Sequence, residues 1–137
     1  MSVYQLEFSR RHSCADERAG ITVPVVLKSG SVIVRLTAAV DTGASFCLFR
    51  REVAVALGLD VEQGVLRKFR TANSTFDAYE HDVDLSVLGI AIRSAVYFFA
   101  DESINKNVLG RTGWLDRVRM AIVEHDAELY LSPYDGE

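Results

Sequence analysis

An apolar, β-branched run that ends abruptly in Asp41-Thr42-Gly43-Ala44-Ser45 constrains the folding of this chain more than any other feature. Ile21 to Leu27 and Ser31 to Val40 are rich in Val, Ile and Thr, and Lys28-Ser29-Gly30 between them has the composition of a tight turn, so a β-hairpin is expected. Its second arm delivers the chain to Asp41. A carboxylate followed by a hydroxyl, a glycine and two small side chains is thereby presented on a sharp turn, where glycine lets other backbone come close. The tripeptide Asp-Thr-Gly occurs once in 137 residues.

The rest of the chain is punctuated in the same way. Tyr4 to Phe8 alternates apolar and polar residues, and the polar stretch Ser9 to Gly20 reads as a loop. Phe46 to Phe49 is a short buried strand. From Arg50 to Leu57 the period changes: Val53, Ala54 and Leu57 share one helical face, and Gly58 stands where a helix would stop. Arg67 to Val87 reads as a long hairpin whose arms flank the polar tetrapeptide Ala72-Asn73-Ser74-Thr75, an arm placed to act as a lid. Leu88-Gly89 is a turn, Ile90 to Phe99 a strand, Asp101 to Lys106 a polar connection, and Asn107 to Thr112 a short apolar strand running into Gly110. A brief helix at Gly113 to Arg117 and a closing hairpin, Val118 to Val123 with Glu128 to Ser132, complete the reading. The spacing of Trp114, Val118 and Ile122 also fits one longer helix. The expected fold class is all-β with one or two short helices, and residues 1–137 read as a single domain without repeats or linkers.

Composition removes several function classes. The length suffices for one hydrophobic core and is too short for two full lobes. A formal charge of -4 gives no basic field for a nucleic acid backbone, and Arg10-Arg11, Arg50-Arg51 and Arg67-Lys68-Arg70 read as solvated surface. The first ten residues lack a secretory layout and no apolar run reaches membrane-spanning length, so a cytoplasmic protein with no membrane partner is expected. Cys14 and Cys47 are too few for a disulfide framework, and Cys47 reads as a small core hydrophobe. His12 and Cys14 have no further ligands at zinc spacing, while His81 and His125 have no nucleophile that the sequence places beside them. No metal or cofactor is expected.

Several segments in order carry a resemblance. Asp41-Thr42-Gly43-Ala44-Ser45, the strand Phe46 to Phe49 with the helix ending at Leu57-Gly58-Leu59, the polar tip Thr71-Ala72-Asn73-Ser74, and Asn107-Val108-Leu109-Gly110-Arg111 together resemble the retropepsin-like aspartic peptidases, a dimeric family of retroviral proteases and bacterial relatives. The likeness runs from Ile21 to Pro133. It implies a retropepsin-like closed β domain supplying one lobe per subunit, and an aspartic endopeptidase that acts as a homodimer on peptide or protein substrates. The catalytic residues implied are Asp41, Thr42 and Gly43; Ala44, Ser45, Ala72, Asn73, Ser74 and Val108 are implied to meet substrate. Apolar residues near Val40, Val108 and the arm favour apolar side chains beside the cut bond. Two departures stand out: Ser45 and Phe46 fill positions that are acidic in retroviral members, which deprives Arg111 of its usual partner, and the arm's tip lacks their glycines. Residues 1–20 read as an N-terminal extension or an interface segment. Three other readings compete: Asp41 as a turn-capping residue, Asp-x-Gly-x-Ser as the phosphate-binding turn of actin-like ATPases, which need a longer chain, and a dimer that binds peptides without cutting them.

Overall fold

The computed structural model describes residues 1–14 and 20–135. Ten strands are formed among them: β1 (Arg10–Ser13), β2 (Thr22–Ser29), β3 (Val32–Val40), β4 (Leu48–Phe49), β5 (Val65–Arg70), β6 (Thr75–Val87), β7 (Ile90–Phe99), β8 (Val108–Leu109), β9 (Val118–Val123) and β10 (Glu128–Pro133). One α-helix, α1 (Arg51–Ala56), follows β4, and single 3₁₀ turns lie at Val61–Gln63, Leu115–Arg117 and Glu124–Asp126. The all-β expectation therefore holds.

Seven strands form one sheet in the order β2-β3-β8-β4-β7-β6-β5, and β2 also pairs with β6. That extra pairing closes six of the strands on themselves and leaves β5 outside the ring. Strand alternation fills the interior: Val23, Val25 and Leu27 of β2 face Val83, Leu85 and Val87 of β6, with Phe98, Leu109 and Trp114 packed among them. Two-residue turns fix the register. Gly30 at φ +59° opens the β2–β3 turn, and the β6–β7 turn holds Leu88 and Gly89 both at positive φ. Leu88, a non-glycine residue there, carries strain that the ten-pair β6–β7 ladder imposes. The helix ends as its sequence indicates: Gly58 and Leu59 donate to the carbonyls of Val55 and Ala54, and Gly58 adopts φ +78°.

Four readings are corrected. Within the presumed Ser9 to Gly20 loop, Arg10–Ser13 is a strand paired with β10, while residues 15–19 lie outside the described residues. Tyr4 to Phe8 forms no strand, because its alternation finds no described strand to pair with. The polar β1 segment is held by backbone pairing and by specific bonds, Ser9 N–H to Ser132 Oγ (2.7 Å) and the His12 ring to the Thr22 carbonyl (3.1 Å). The longer helix through Trp114, Val118 and Ile122 does not form; Val118 opens β9, whose ladder with β10 runs six pairs. Phe46 is not part of β4 but makes a single parallel bridge to Thr112. No described helix is long and apolar enough to cross a membrane.

Candidate active site

β8 is inserted between β3 and β4, parallel to the first and antiparallel to the second. The chain leaving β3 must therefore pass across the end of β8 before it enters β4, and the segment that makes this crossing is Asp41 to Cys47. Backbone bonds tie the crossing down along its length: Asp41 N–H to the Leu109 carbonyl (3.0 Å), Arg111 N–H to that of Ala44 (2.9 Å) and Thr112 N–H to that of Ser45 (2.9 Å). Gly110 makes the close approach possible. It is buried, and a Cβ at this position would collide with the Phe46 carbonyl and lie 2.8 Å from the Ala44 carbonyl oxygen. Cys47 packs beneath with its thiol fully buried, and burial pushes its pKa from 9.0 to about 11, so it is a protonated core group and no nucleophile.

Asp41 itself is exposed. One of its carboxylate oxygens accepts the Gly43 N–H at 2.9 Å, and the Ala44 N–H closes the turn onto the Asp41 carbonyl at 3.2 Å. The Thr42 hydroxyl has no hydrogen-bond partner among the described residues. Its side chain lines a separate cleft with Arg111 and Leu115, on another side of the loop from the groove that Asp41 enters.

That groove, about 640 Å³, runs under the β5–β6 arm. Of the residues expected to meet substrate, Ala44, Ser45, Ser74 and Val108 line it together with Asp41 and Gly43; Ala72 and Asn73, at the extreme tip of the arm, do not. Sequence reasoning missed its aromatic wall. Phe69 of β5 stacks on Phe76 of β6 (centroids 5.1 Å, planes 10° apart), Phe76 meets Phe99 of β7 at 5.3 Å, and Phe46 meets Phe69 and Tyr97 at 5.8 and 5.2 Å. Arg67 lays its guanidinium 4.5 Å from the Phe46 ring centroid and donates to the Tyr97 hydroxyl at 3.3 Å; that hydroxyl donates to Glu80 at 2.8 Å. Burial raises the Tyr97 pKa above its ordinary value, with Arg67 opposing, so the phenol stays neutral and keeps its proton for Glu80. The arm is thus bound to the residue that follows the Asp41 loop.

The His81 ring bonds the Val61 carbonyl (2.9 Å) and sits against Phe98, and His125 lies in a 3₁₀ turn. Among the described residues no three His, Cys, Asp or Glu side chains gather as metal ligands.

Comparison with known proteins agrees with this geometry. Residues 23–112 match a family model described as aspartyl protease. A crystal structure of a retropepsin-like aspartic protease from Rickettsia conorii superposes with a TM-score of 0.65 at 22% identity, covering 90% of this chain and 98% of that one. The EIAV protease complexed with the inhibitor HBY-793 gives a TM-score of 0.49 at 18% identity, over 66% of this chain and 80% of that one. No curated protein sequence matches. With the family match spanning the Asp-Thr-Gly loop, the arm and the β8 brace, the chain belongs to the aspartyl protease family and has the retropepsin-like fold.

Proposed function

We propose that the protein is an aspartic endopeptidase working as a homodimer, in which a water molecule is activated between two Asp41 carboxylates. The observation that carries this reading is the exposed Asp41 carboxylate, fixed on a braced loop in an apolar groove whose lining contains no second acid. A two-fold axis supplies the missing one from an identical loop. The ionised carboxylate takes a proton from water while the protonated one polarises the peptide carbonyl; the tetrahedral intermediate then collapses as the amide nitrogen receives a proton and leaves. Two carboxyl groups at hydrogen-bond distance share one proton, because ionising both is costly.

The neighbours of Asp41 take supporting roles in this scheme. The unpartnered Thr42 hydroxyl hydrogen-bonds the opposing loop. Gly43 keeps the space over the carboxylate open, since a Cβ there would lie 3.2 Å from Asp41 Oδ1. An extended peptide lies between the loops and the arms, paired through its main chain, with Ala44, Ser45, Ser74 and Val108 against its side chains and the tip residues Ala72 and Asn73 reaching over it. Unpaired, buried Cys14 and Cys47 suit a reducing, cytoplasmic setting.

Turnover of an unstructured protein at mildly acidic pH tests the scheme. Asp41→Asn is expected to cut activity by roughly 10²–10⁴-fold or more while leaving the dimer mass unchanged. A wild-type protein that binds peptides but cuts none is a binding module, and a strictly monomeric active protein overturns the paired-acid scheme.

A further inference from the structure

Two cations stand on the groove with no acid opposite them. Arg70 closes β5 at the base of the arm's tip, and Lys106 lies in the connection just before β8; both are exposed and both line the groove that Asp41 enters. Lys68, Arg93 and Arg51 are answered by Asp77, Asp84 and Glu62, while the other cations without an acid partner among the described residues, such as Lys28, Arg35 and Arg111, lie outside this groove. Arg70 and Lys106 have no such partner among the described residues, and Asp41 is the one carboxylate in the lining. In a chain with a net charge of -4, a pair of unanswered cations beside an aromatic wall is a local reversal of sign.

We propose that the groove selects peptides in which an apolar or aromatic residue is flanked by an acidic one, the carboxylate being read by Arg70 and Lys106. The inference deepens the endopeptidase reading and rests on it. The aromatic wall of Phe46, Phe69, Phe76 and Phe99 takes the apolar side chain, because burying it there removes both surfaces from water. The acid sits toward the cations and away from the cut bond, since the Asp41 pair carries negative charge and repels a second carboxylate close by. A homodimer presents the same wall and the same two cations on each side of the cut, so preferred substrates carry acids on both flanks. At mildly acidic pH such side chains remain largely ionised.

The test uses the full chain carrying Asp41→Asn, which holds substrate without turnover, and three labelled peptides with one apolar centre and Glu, Gln or Lys at both flanks. Fluorescence anisotropy at low salt is expected to rank affinity Glu, then Gln, then Lys, with about two- to fivefold per exposed charge contact and convergence of the three at high salt. Arg70→Glu with Lys106→Glu inverts the order, whereas Lys28→Glu, outside the groove, leaves it unchanged. Equal affinities, a preference for Lys, no binding of any peptide, or an order unmoved by the double charge reversal each overturn the proposal. Cleavage by the wild-type protein is scored separately. An acid preference in binding without cleavage sinks the catalytic scheme alone, and cleavage blind to flanking charge sinks the selection alone.

Discussion

Replacing Gly110 by alanine probes whether the Asp41 loop and β8 behave as one rigid body. The new methyl would meet backbone on both sides: it collides with the Phe46 carbonyl and comes within 2.8 Å of the Ala44 carbonyl oxygen. No rotamer relieves a clash between main-chain atoms and a Cβ, so the two segments must part by about 1 Å to reach ordinary contact distance. The bonds from Arg111 and Thr112 to the loop, both 2.9 Å, then lengthen beyond hydrogen-bonding range. Losing two such bonds at ~0.5–1.5 kcal/mol each, with ~1–3 kcal/mol for overpacking, predicts a destabilisation of about 2–6 kcal/mol. That is a large part of the ~5–15 kcal/mol total expected of a small protein. Gly58→Ala is the control. Its φ of +78° makes alanine strained, but no atom lies within 4 Å of the added Cβ, so about 1 kcal/mol is expected. Urea unfolding monitored at Trp114 gives both values, and peptide turnover reports the loop geometry separately. Gly110→Ala within about 0.5 kcal/mol of wild type, or no worse than Gly58→Ala, refutes the idea that the brace depends on this close approach.

Two further outcomes are expected. Cys47 has its pKa raised from 9.0 to about 11 by burial, so the folded chain keeps a proton that the unfolded chain loses in this window; stability is complete below pH 9 and falls as pH rises toward 11, by about 2–3 kcal/mol. Urea midpoints at several pH values check this, and a wild-type slope that Cys47→Ala leaves unchanged refutes it. Arg67→Ala removes the guanidinium from the Phe46 ring and from Tyr97, and amide exchange from Phe69 to Phe76 should quicken about two- to fivefold, as expected for one exposed cation–π contact; unaltered protection there rules out the contact as a tie on the arm.

The strand skeleton was legible because period-2 alternation and glycine-marked turns report directly on which face is buried. The α1 face of Val53, Ala54 and Leu57 and its stop at Gly58 were legible for the same kind of reason, a period of 3.6 ended by a residue free to adopt positive φ. The arm shows where such reading fails. Centring the turn on Ala72 to Thr75 would pair Phe69 with Ala78. The observed turn, Thr71 to Ser74, pairs Phe69 with Phe76, and this register builds the aromatic wall. The shift comes from Thr71, whose hydroxyl contacts the Ser74 N–H at 3.1 Å and the Ser74 carbonyl at 3.2 Å and so closes the loop one residue early. Composition marks a polar tip; it does not say which hydroxyl closes it. β1 was missed for a related reason, since its pairing is decided by the exposed backbone of β10 and not by its own polar sequence.

Phe46 joins these observations into one mechanical argument. Its backbone belongs to the crossing over β8, its carbonyl lies against Gly110, and its ring carries Arg67 from the arm. Loop, brace and arm therefore meet at a single half-buried residue whose contacts are van der Waals and ring–cation in kind. The cations that line the groove, Arg70 and Lys106, are exposed and open to screening. Salt should separate the two sets. Raising ionic strength to about 1 M, where the Debye length falls to ~3 Å, is expected to erase discrimination between acidic and basic peptide flanks while amide protection of the arm stays at its low-salt level. An arm that loosens in step with the loss of charge preference would mean that the same ionic contacts both hold the arm and read the peptide, and the division of labour at Phe46 would fall.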